Sequence, residues 1–428
     1  MTFRLLHTSD WHLGQHFYGK SRAAEHQQFL NWLLKQVTEH QVDAVIVAGD
    51  IFDTGTPPSY ARELYFDFIV KLHQLNCQLL VLAGNHDSVA MLSESKGILS
   101  QLSCRVIANV SDDINEQVIS INDHQGKLQA VVCAIPFIRP RDIVNSQAGQ
   151  SSGDKQQALQ HAITTHYQTL FTQAQQLAEK NVPIIATGHL TTVGVQTSES
   201  VRDIYIGTLE AFPSNAFPDA DYIALGHIHR SQKVAKSEHI RYSGSPIPLS
   251  FDEANQNKSV LLAEFEGNQL STVNEIVVPR FQAMAMIKTD LEHLAADVKA
   301  LTEQLELGSA DEKIWLDIEI NTADYLVDLT RRIEELTAEF PVEILLVRRS
   351  KKSRQQMSAT KAKITLNELK LTDVFDTRLA QETWQTEQEL IRESRLKEMF
   401  RQTVVEVESS MNATQSENNS ANTVKVSE

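Results

Sequence analysis

ALGHIHR, residues 224–230, runs from an apolar stretch into a glycine and then two histidines at i and i+2. Those histidines gain meaning only if partners for them stand at the ends of other apolar runs. The first 250 residues repeat the same grammar: FRLLHTSD (3–10), AVIVAGD (44–50), QLLVLAGNHD (78–87), PIIATGHL (183–190), YIALGHIH (222–229) and IRYSGSP (240–246). Short apolar runs bounded by turn residues read as buried strands whose C-terminal ends carry polar groups. Helical patterns over Ala23–Glu39 and Ser59–Leu75 lie between several of them. Strand and helix in alternation predict an α/β domain with its loops gathered at one sheet edge.

The polar ends of these strands are Asp10 and His12, Asp50, Asn85 and His86, His189, and His227 and His229. They form an oxygen and nitrogen donor set without a thiolate, which suits Mn²⁺, Fe²⁺ or Zn²⁺. Leaving His86 aside, the donors are too many for one ion, and a bridging Asp50 divides them into two sets of four. Two divalent ions, less two carboxylates and a bridging hydroxide, leave roughly one positive charge, which favours an anionic phosphate ester. Such a metal pair lowers the pKa of a bound water and clamps both oxygens of an in-line displacement. His86 has the chemistry to stabilise the transition-state charge or protonate the leaving oxygen. Asp87 either holds the His86 ring or caps a helix. His7, His16 and His26 have no such company, and no role is assigned to them.

From about Arg280 the pattern changes. FQAMAMI reads as a strand, DLEHLAADVKALTEQL as a helix, and KIWLDIEI as a half-buried strand with Ile314, Leu316, Ile318 and Ile320 on one face. YLVDLTRRIEELTAEF is a second amphipathic helix and VEILLV a third strand, giving a small βαβαβ unit. Residues 348–363, RRSKKSRQQMSATKAK, hold seven Lys/Arg and no acid, either a solvated linker or a phosphate-contacting strip. One or two helices come next, with Leu371, Val374, Phe375 and Leu379 on one apolar stripe and Leu396, Met399 and Phe400 on another. Those stripes either seek a partner or fold back on the chain. The last twenty residues are polar and read as disordered. Residues 141–160 begin as a polar loop with no assignable chemistry.

The chain has 428 residues, enough for two or three domains. Its net charge of −16 argues against a sequence-blind nucleic-acid coat. No apolar run nears the roughly 18 residues of a membrane span. The first residues lack a signal-peptide core, so a cytoplasmic address without membrane attachment is expected. Cys77, Cys104 and Cys133 are spaced as reduced, buried thiols.

SDWH, GDIFD, GNHD, GHL and GHIH, in that order, resemble the five signatures of calcineurin-like metallophosphoesterases. HTSDWHLG, GNHDS, IIATGHLTT, ALGHIHR and YSGSPIPLSF, with the small unit and helices behind them, resemble the SbcD family of bacterial nuclease subunits. The resemblance implies a four-layer α/β/β/α sandwich, a small α/β cap and a C-terminal helical arm. Its expected spans are 1–279 for the nuclease domain, 280–347 for a DNA-binding cap, 348–364 for a basic linker, 365–408 for the arm and 409–428 for the tail. It implies Mn²⁺ as the cofactor, with Asp10, His12, Asp50 and His229 on one ion, Asp50, Asn85, His189 and His227 on the other, and His86 catalytic. It further implies 3′–5′ exonuclease action on DNA duplex ends, endonuclease action at hairpins, a homodimer, and an SbcC-type ATPase partner within a heterotetramer. Some relatives carry a histidine where this chain has Asp53, so the role of that position stays open.

Three other readings compete. GQHFYGKS, Gly14–Ser21, matches the phosphate-binding pattern G-x-x-x-x-G-K-S between a strand and a helix. Its first glycine stands too far from the strand, and His16, Phe17 and Tyr18 are too bulky for a loop whose amides wrap phosphate. Lys20 and Arg22 there are candidates for contacting nucleic-acid phosphates instead. A small-molecule phosphodiesterase or protein phosphatase shares the metal core but has no use for the residues beyond 280. A non-catalytic DNA-binding subunit has no physical reason to keep every metal donor.

Overall fold

The computed structural model describes residues 2–144, 151–201, 204, 211–305, 313–321 and 328–350, together with 375, 378, 379, 392, 393, 395–400, 403 and 404. Most of the basic linker, most of the helical arm and the tail lie outside the described residues.

The chain opens with strand β1 (Thr2–Thr8), the short hairpin of β2 (His16–Phe17) and β3 (Lys20–Ser21), and helix α1 (Ala23–Glu39). β4 (Ala44–Ala48), α2 (Ser59–Gln74) and β5 (Gln78–Leu82) come next, then short helices α3 (Val89–Glu94) and α4 (Lys96–Leu99), and β6 (Cys104–Ile107). The second half has β7 (Val118–Asn122), β8 (Leu128–Cys133), α5 (Pro140–Ile143) and α6 (Ser152–Leu177). β9 (Ile184–His189), β10 (Tyr222–Gly226), β11 (Gln232–Lys233) and β12 (Ile240–Tyr242) lead to the hairpin of β13 (Ser259–Glu266) and β14 (Gln269–Val277).

These strands make two mixed six-stranded sheets, ordered β14-β13-β1-β4-β5-β6 and β11-β12-β10-β9-β8-β7. All five residues of β4, AVIVA, are buried, as a parallel strand covered on both faces requires. Its alternate side chains enter different apolar clusters, the signature of a pleated strand. Val45 and Val47 pack with Phe29 and Leu33 of α1 and Phe68 and Leu72 of α2. Ala44, Ile46 and Ala48 pack with Val132, Ile185 and Ala224 of the second sheet. That sheet's other face packs Val131, Ala186 and Ile223 with Ile163, Tyr167 and Leu170 of α6. Truncating one of these buried leucines to alanine costs about 2–5 kcal/mol.

Helix α6 takes up the later part of the stretch 141–160, where the sequence reading placed no helix. A capping box of Ser151 and Asp154 starts it. Its apolar face begins only at Leu159, so the first turns carry no periodic signal.

The later part of the chain holds β15 (Met284–Thr289), α7 (Leu294–Gln304), β16 (Ile314–Ile320), α8 (Leu329–Thr337) and β17 (Val342–Arg349), with the sheet ordered β15-β16-β17. β16 is more buried than its alternation suggests. Trp315 stacks on Phe17 of the β2–β3 hairpin at 5.6 Å, and Asp317 pairs with Arg348. The chain divides into two compact units. One comprises Met1–Thr289, His293–Glu319 and Thr337–Arg348, and so takes in most of the small sheet. The other comprises Asp290–Glu292, Ile320–Leu336 and Arg349–Glu428, and within it Phe375 stacks on Phe400 at 4.0 Å. Among the described residues no helix is long and apolar enough to cross a membrane. The three cysteines are buried and unbridged, and burial pushes the Cys104 and Cys133 thiols up to about 12.

Candidate metal centre

Parallel strands β1, β4 and β5 of the first sheet and β9 and β10 of the second deliver their polar C-terminal residues to one place. The backbone of Asp10 donates to the Gly49 carbonyl at 3.0 Å, and that of His12 to the Asp50 carbonyl at 3.1 Å. The His86 amide donates to the Asp50 carboxylate at 2.9 Å. Two of the bonds that tie the sheets to each other are made by the donors themselves. His189 Nδ1–H donates to the Ala48 carbonyl at 2.9 Å, and the His227 amide donates to Asp10 Oδ1 at 3.0 Å.

The backbone is strained where the donors stand. Asp10, His12, Asp50 and His227 have φ of 55°, 46°, 51° and 90°. Non-glycine residues adopt such angles at a cost of order 1–3 kcal/mol each, and they cluster at functional sites. His227 lies just beyond β10 in this conformation, so extended alternation does not explain how the two histidines of GHIH are aimed. A kink at His227 does. Gly226 is required by the facing sheet. A Cβ there would overlap the Ala48 carbonyl oxygen of the facing sheet, and one on Gly49 would overlap the His189 ring. These glycines let two strand ends meet around His189.

Three groups of donors converge: Asp10, His12 and His229; His12, Asp50 and His86; and Asp50, His189 and His227, the ligand atoms of each group lying within 4.8 Å of one another. Asn85 Oδ1 joins the last, 3.0 Å from His189 Nε2 and 3.1 Å from His227 Nδ1. With Nδ1–H given to Ala48, His189 Nε2 presents a lone pair to Asn85 Oδ1 and, at 3.2 Å, to Asp50 Oδ2. Acceptors facing one another at that range need a cation between them. Burial opposes charging His189, but the Asp50 carboxylate overrides it and pushes the imidazole up to about 9, so a proton is one such cation. Nε2 of His12 is buried with no hydrogen-bond partner, which a metal ion would relieve. The donors therefore fit two divalent ions. Asn85 and His86 are half-buried, whereas the aspartates and the other histidines are buried, so these two meet solvent and substrate most readily.

Neighbouring positions behave differently from their sequence reading. Asp87 neither holds the His86 ring nor caps α3, whose cap is Ser88. Its carboxylate accepts from the amides of Gly84 (2.8 Å), Phe52 (3.0 Å) and Ile51 (3.2 Å), and burial next to Asp50 pushes it up to about 6. Arg22 is corrected as a phosphate contact: it is 1% exposed and donates to Glu25 at 2.7 Å and Gln15 at 2.7 Å, so its charge is neutralised inside the fold. Lys20 is 42% exposed and pairs with Glu343 at 2.5 Å. The stretch Gly14–Ser21 forms the β2–β3 hairpin, with Phe17 buried against Phe251 and Trp315, and makes no phosphate cradle.

Sequence reasoning left the role of Asp53 open and missed the other groups behind the site's donors. Asp53 accepts from His12 Nδ1–H, Ser9 donates to Asp10, and Ser200, Glu253 and Lys258 surround His229. None carries a local signal, because each is recognised only by a partner placed by the fold. The short distance in the chain from Asp53 to Asp50 is the one hint.

Residues 3–231 match the calcineurin-like phosphoesterase family, and residues 280–383 match a family described as the type 5 capsule protein repressor C-terminal domain, SbcD_C. The chain is similar to the D subunit of the SbcCD nuclease from Escherichia coli strain K12, 52% identical over 402 residues that cover 94% of this chain and 98% of that protein. Its likeness to the corresponding SbcCD nuclease subunit of Bacillus subtilis strain 168 is 30% over 331 residues, 76% of this chain and 80% of that one. Among solved structures, a dimetal phosphatase from Danio rerio aligns with 65% of this chain and 99% of its own at 11% identity and a TM-score of 0.36.

Proposed function

The chain belongs to the SbcD family of nuclease subunits within the calcineurin-like phosphoesterases, and from that premise we propose that it hydrolyses DNA phosphodiesters at a two-metal centre. The observation that carries the reading is the convergence of buried acceptors on common points, with Nε2 of His12 left without a hydrogen-bond partner. Asp10, His12, Asp50 and His229 would hold one ion, and Asp50, Asn85, His189 and His227 the other. Mixed imidazole and carboxylate donors suit Mn²⁺, Fe²⁺ or Zn²⁺, and the family resemblance favours Mn²⁺.

When bound, such ions polarise the phosphoryl oxygens and make water acidic enough to supply hydroxide near neutral pH. The chain's own residues do the rest. Asp50 sits between the donor groups and orders them, its carboxylate fixed by the His86 amide. His86 gives Nδ1–H to the Asp53 carbonyl at 2.7 Å, which leaves Nε2 as the nitrogen facing the reaction, the one that in the imidazolium form would give its proton to the departing oxygen. The kinked backbone holds the donors before substrate arrives, so little reorganisation is left to the reaction.

We further propose the finer assignments. The three apolar clusters, one on each outer face and one between the sheets, support a four-layer α/β/β/α sandwich. Residues 1–279 form the nuclease domain, 280–347 a DNA-binding cap, 348–364 a basic linker and 365–408 an arm for an SbcC-type ATPase, in a heterotetramer built on a homodimer. The similar proteins are named as subunits of an SbcCD nuclease, which supports that partner. The activity is 3′–5′ exonuclease on duplex ends and endonuclease at hairpins.

The test incubates the purified chain with labelled linear and hairpin-ended duplexes under Mn²⁺, Mg²⁺ or chelator, beside His86→Ala. Manganese-dependent cutting that His86→Ala loses supports the reading. Hydrolysis of an aryl phosphodiester with DNA left intact would move the substrate to small molecules or require the ATPase for DNA. Two bound ions without hydrolysis of either substrate would overturn the enzymatic reading.

A further inference from the structure

We infer that Glu253, acting through the hydroxyl of Ser200, is the positioning residue that fixes the imidazole of His229, while Lys258 ties down the same histidine's main chain. The inference rests on the metal-centre reading above and names what holds one of its ligands in place.

The chain of donors has one consistent direction. Glu253 is fully buried, and its carboxylate lies 2.6 Å from the Lys258 ammonium, itself 6% exposed. A carboxylate so paired only accepts, so Ser200 Oγ, at 2.5 Å, donates its single proton to it. With its proton spent, the hydroxyl accepts from His229 Nδ1 at 2.6 Å, while Ser198 Oγ, 3.1 Å from Ser200 Oγ, gives its own proton to Glu253. That leaves the lone pair of His229 on Nε2, the form in which it joins Asp10 and His12 as a metal donor. The ion pair grips the backbone too. Lys258 Nζ donates to the His229 carbonyl at 2.9 Å, and the Ser245 amide donates to that carbonyl at 3.2 Å. Ring and main chain of His229 are thus anchored to one buried ion pair, whose members lie 24 and 29 residues further along the chain.

Ser198 provides the discriminating comparison. Its hydroxyl donates to the same Glu253 oxygen at 2.6 Å and lies 3.1 Å from Ser200 Oγ, but it makes no hydrogen bond to the His229 ring. Removing it perturbs the carboxylate's surroundings without breaking the relay.

The experiment titrates Mn²⁺ calorimetrically into the full, chelator-stripped chain, with thermal melts to confirm folding. Wild type should take up two ions. Ser200→Ala should keep one at wild-type affinity and weaken the other by about 10–100-fold, the usual effect of removing such an outer partner. Ser200→Thr, which restores the hydroxyl, should recover it, and Ser198→Ala should match wild type. Wild-type affinity at both sites in Ser200→Ala would overturn the positioning role and leave the metal centre standing. Equal weakening in Ser198→Ala and Ser200→Ala would also overturn it, by reducing the effect to packing. A wild-type chain that takes up no Mn²⁺ would instead overturn the metal-centre reading and the inference with it.

Discussion

The carboxylate of Asp53 lies 3.1 Å from Nδ1 of His12 and accepts its proton. The main-chain carbonyl of Asp53 accepts from His86 Nδ1 at 2.7 Å, so this one residue orients two imidazoles by two separable means. Only the first depends on the side chain. The role of the position is legible here only because the contact is seen.

Asp53→Ala should therefore weaken metal binding at the donor group of Asp10, His12 and His229 by about 10–100-fold. Asp53→Asn should recover part of this, because its amide oxygen still accepts. Mn²⁺ titration of the stripped variants checks it. An unchanged affinity in Asp53→Ala would reduce Asp53 to a backbone acceptor for His86.

His86→Ala separates binding from chemistry. The ring is half-buried and stands outside the donor sets assigned to the ions, so both should still bind. Removing a positioned acid should lower the hydrolysis rate by about 10²–10⁴-fold. Metal content and initial rate, measured on the same preparation, decide it. Loss of an ion would make His86 a ligand.

The site was legible in the sequence to the extent that each donor comes after an apolar run. Asp10, Asp50, Asn85, His189 and His227 end or follow strands, and the order of the motifs carried the rest. Distance in the chain hid what the fold brings together. Glu253 and Ser200 are 53 residues apart, and nothing local marks either as a partner of His229. Helix α6 was lost because its first turns are polar. The hairpin at 14–21 is the opposite case, a motif that fits by letter and that its bulky residues already spoke against. There the burial of Phe17 against Trp315 decides the conformation.

Arg22 gives a prediction that divides a surface role from a structural one. It and Glu25 form a buried pair at 2.6 Å, and burial raises the Glu25 carboxyl against the pull of the arginine. Breaking such a pair strands the partner charge, so Arg22→Ala should cost about 3–5 kcal/mol of stability. Lys20→Ala, at an exposed pair, should cost no more than about 1 kcal/mol. Urea unfolding of the two variants reads this directly. Arg22→Ala with wild-type stability and weakened DNA binding would restore the surface reading.

His7 predicts acid sensitivity. Its Nε2–H donates to the Leu225 carbonyl at 3.2 Å and its Nδ1 accepts from the Tyr222 hydroxyl at 3.0 Å, so the neutral ring is satisfied. Burial, which outweighs the Leu225 bond, lowers it to about 3. The unfolded chain takes up this proton near pH 6.5 and the folded chain does not, so stability falls as pH drops below about 6.5. At pH 5 the loss is about 2 kcal/mol relative to about pH 7.5. His7→Gln keeps a donor and an acceptor without the titration. It should lose about 2 kcal/mol less than wild type over that interval. Parallel pH dependences in the two proteins would refute it.

The two histidines of GHIH should prove to be ligands of different ions. His227 groups with Asp50 and His189, and His229 with Asp10 and His12. The kink at His227, φ 90°, turns one residue of the pair away from the direction a strand would give it. If both served one ion, either substitution would empty the same site, and the double variant would resemble the singles. With separate ions, His227→Ala and His229→Ala should each lower the Mn²⁺ bound per chain from two to one at limiting metal, and the double variant should bind none tightly. The singles should also differ in dependence on outer groups. Ser200→Ala should weaken the ion that His227→Ala retains and leave untouched the one that His229→Ala retains. Stoichiometry by elemental analysis after gel filtration, combined with that cross, assigns each imidazole to its ion without reference to turnover.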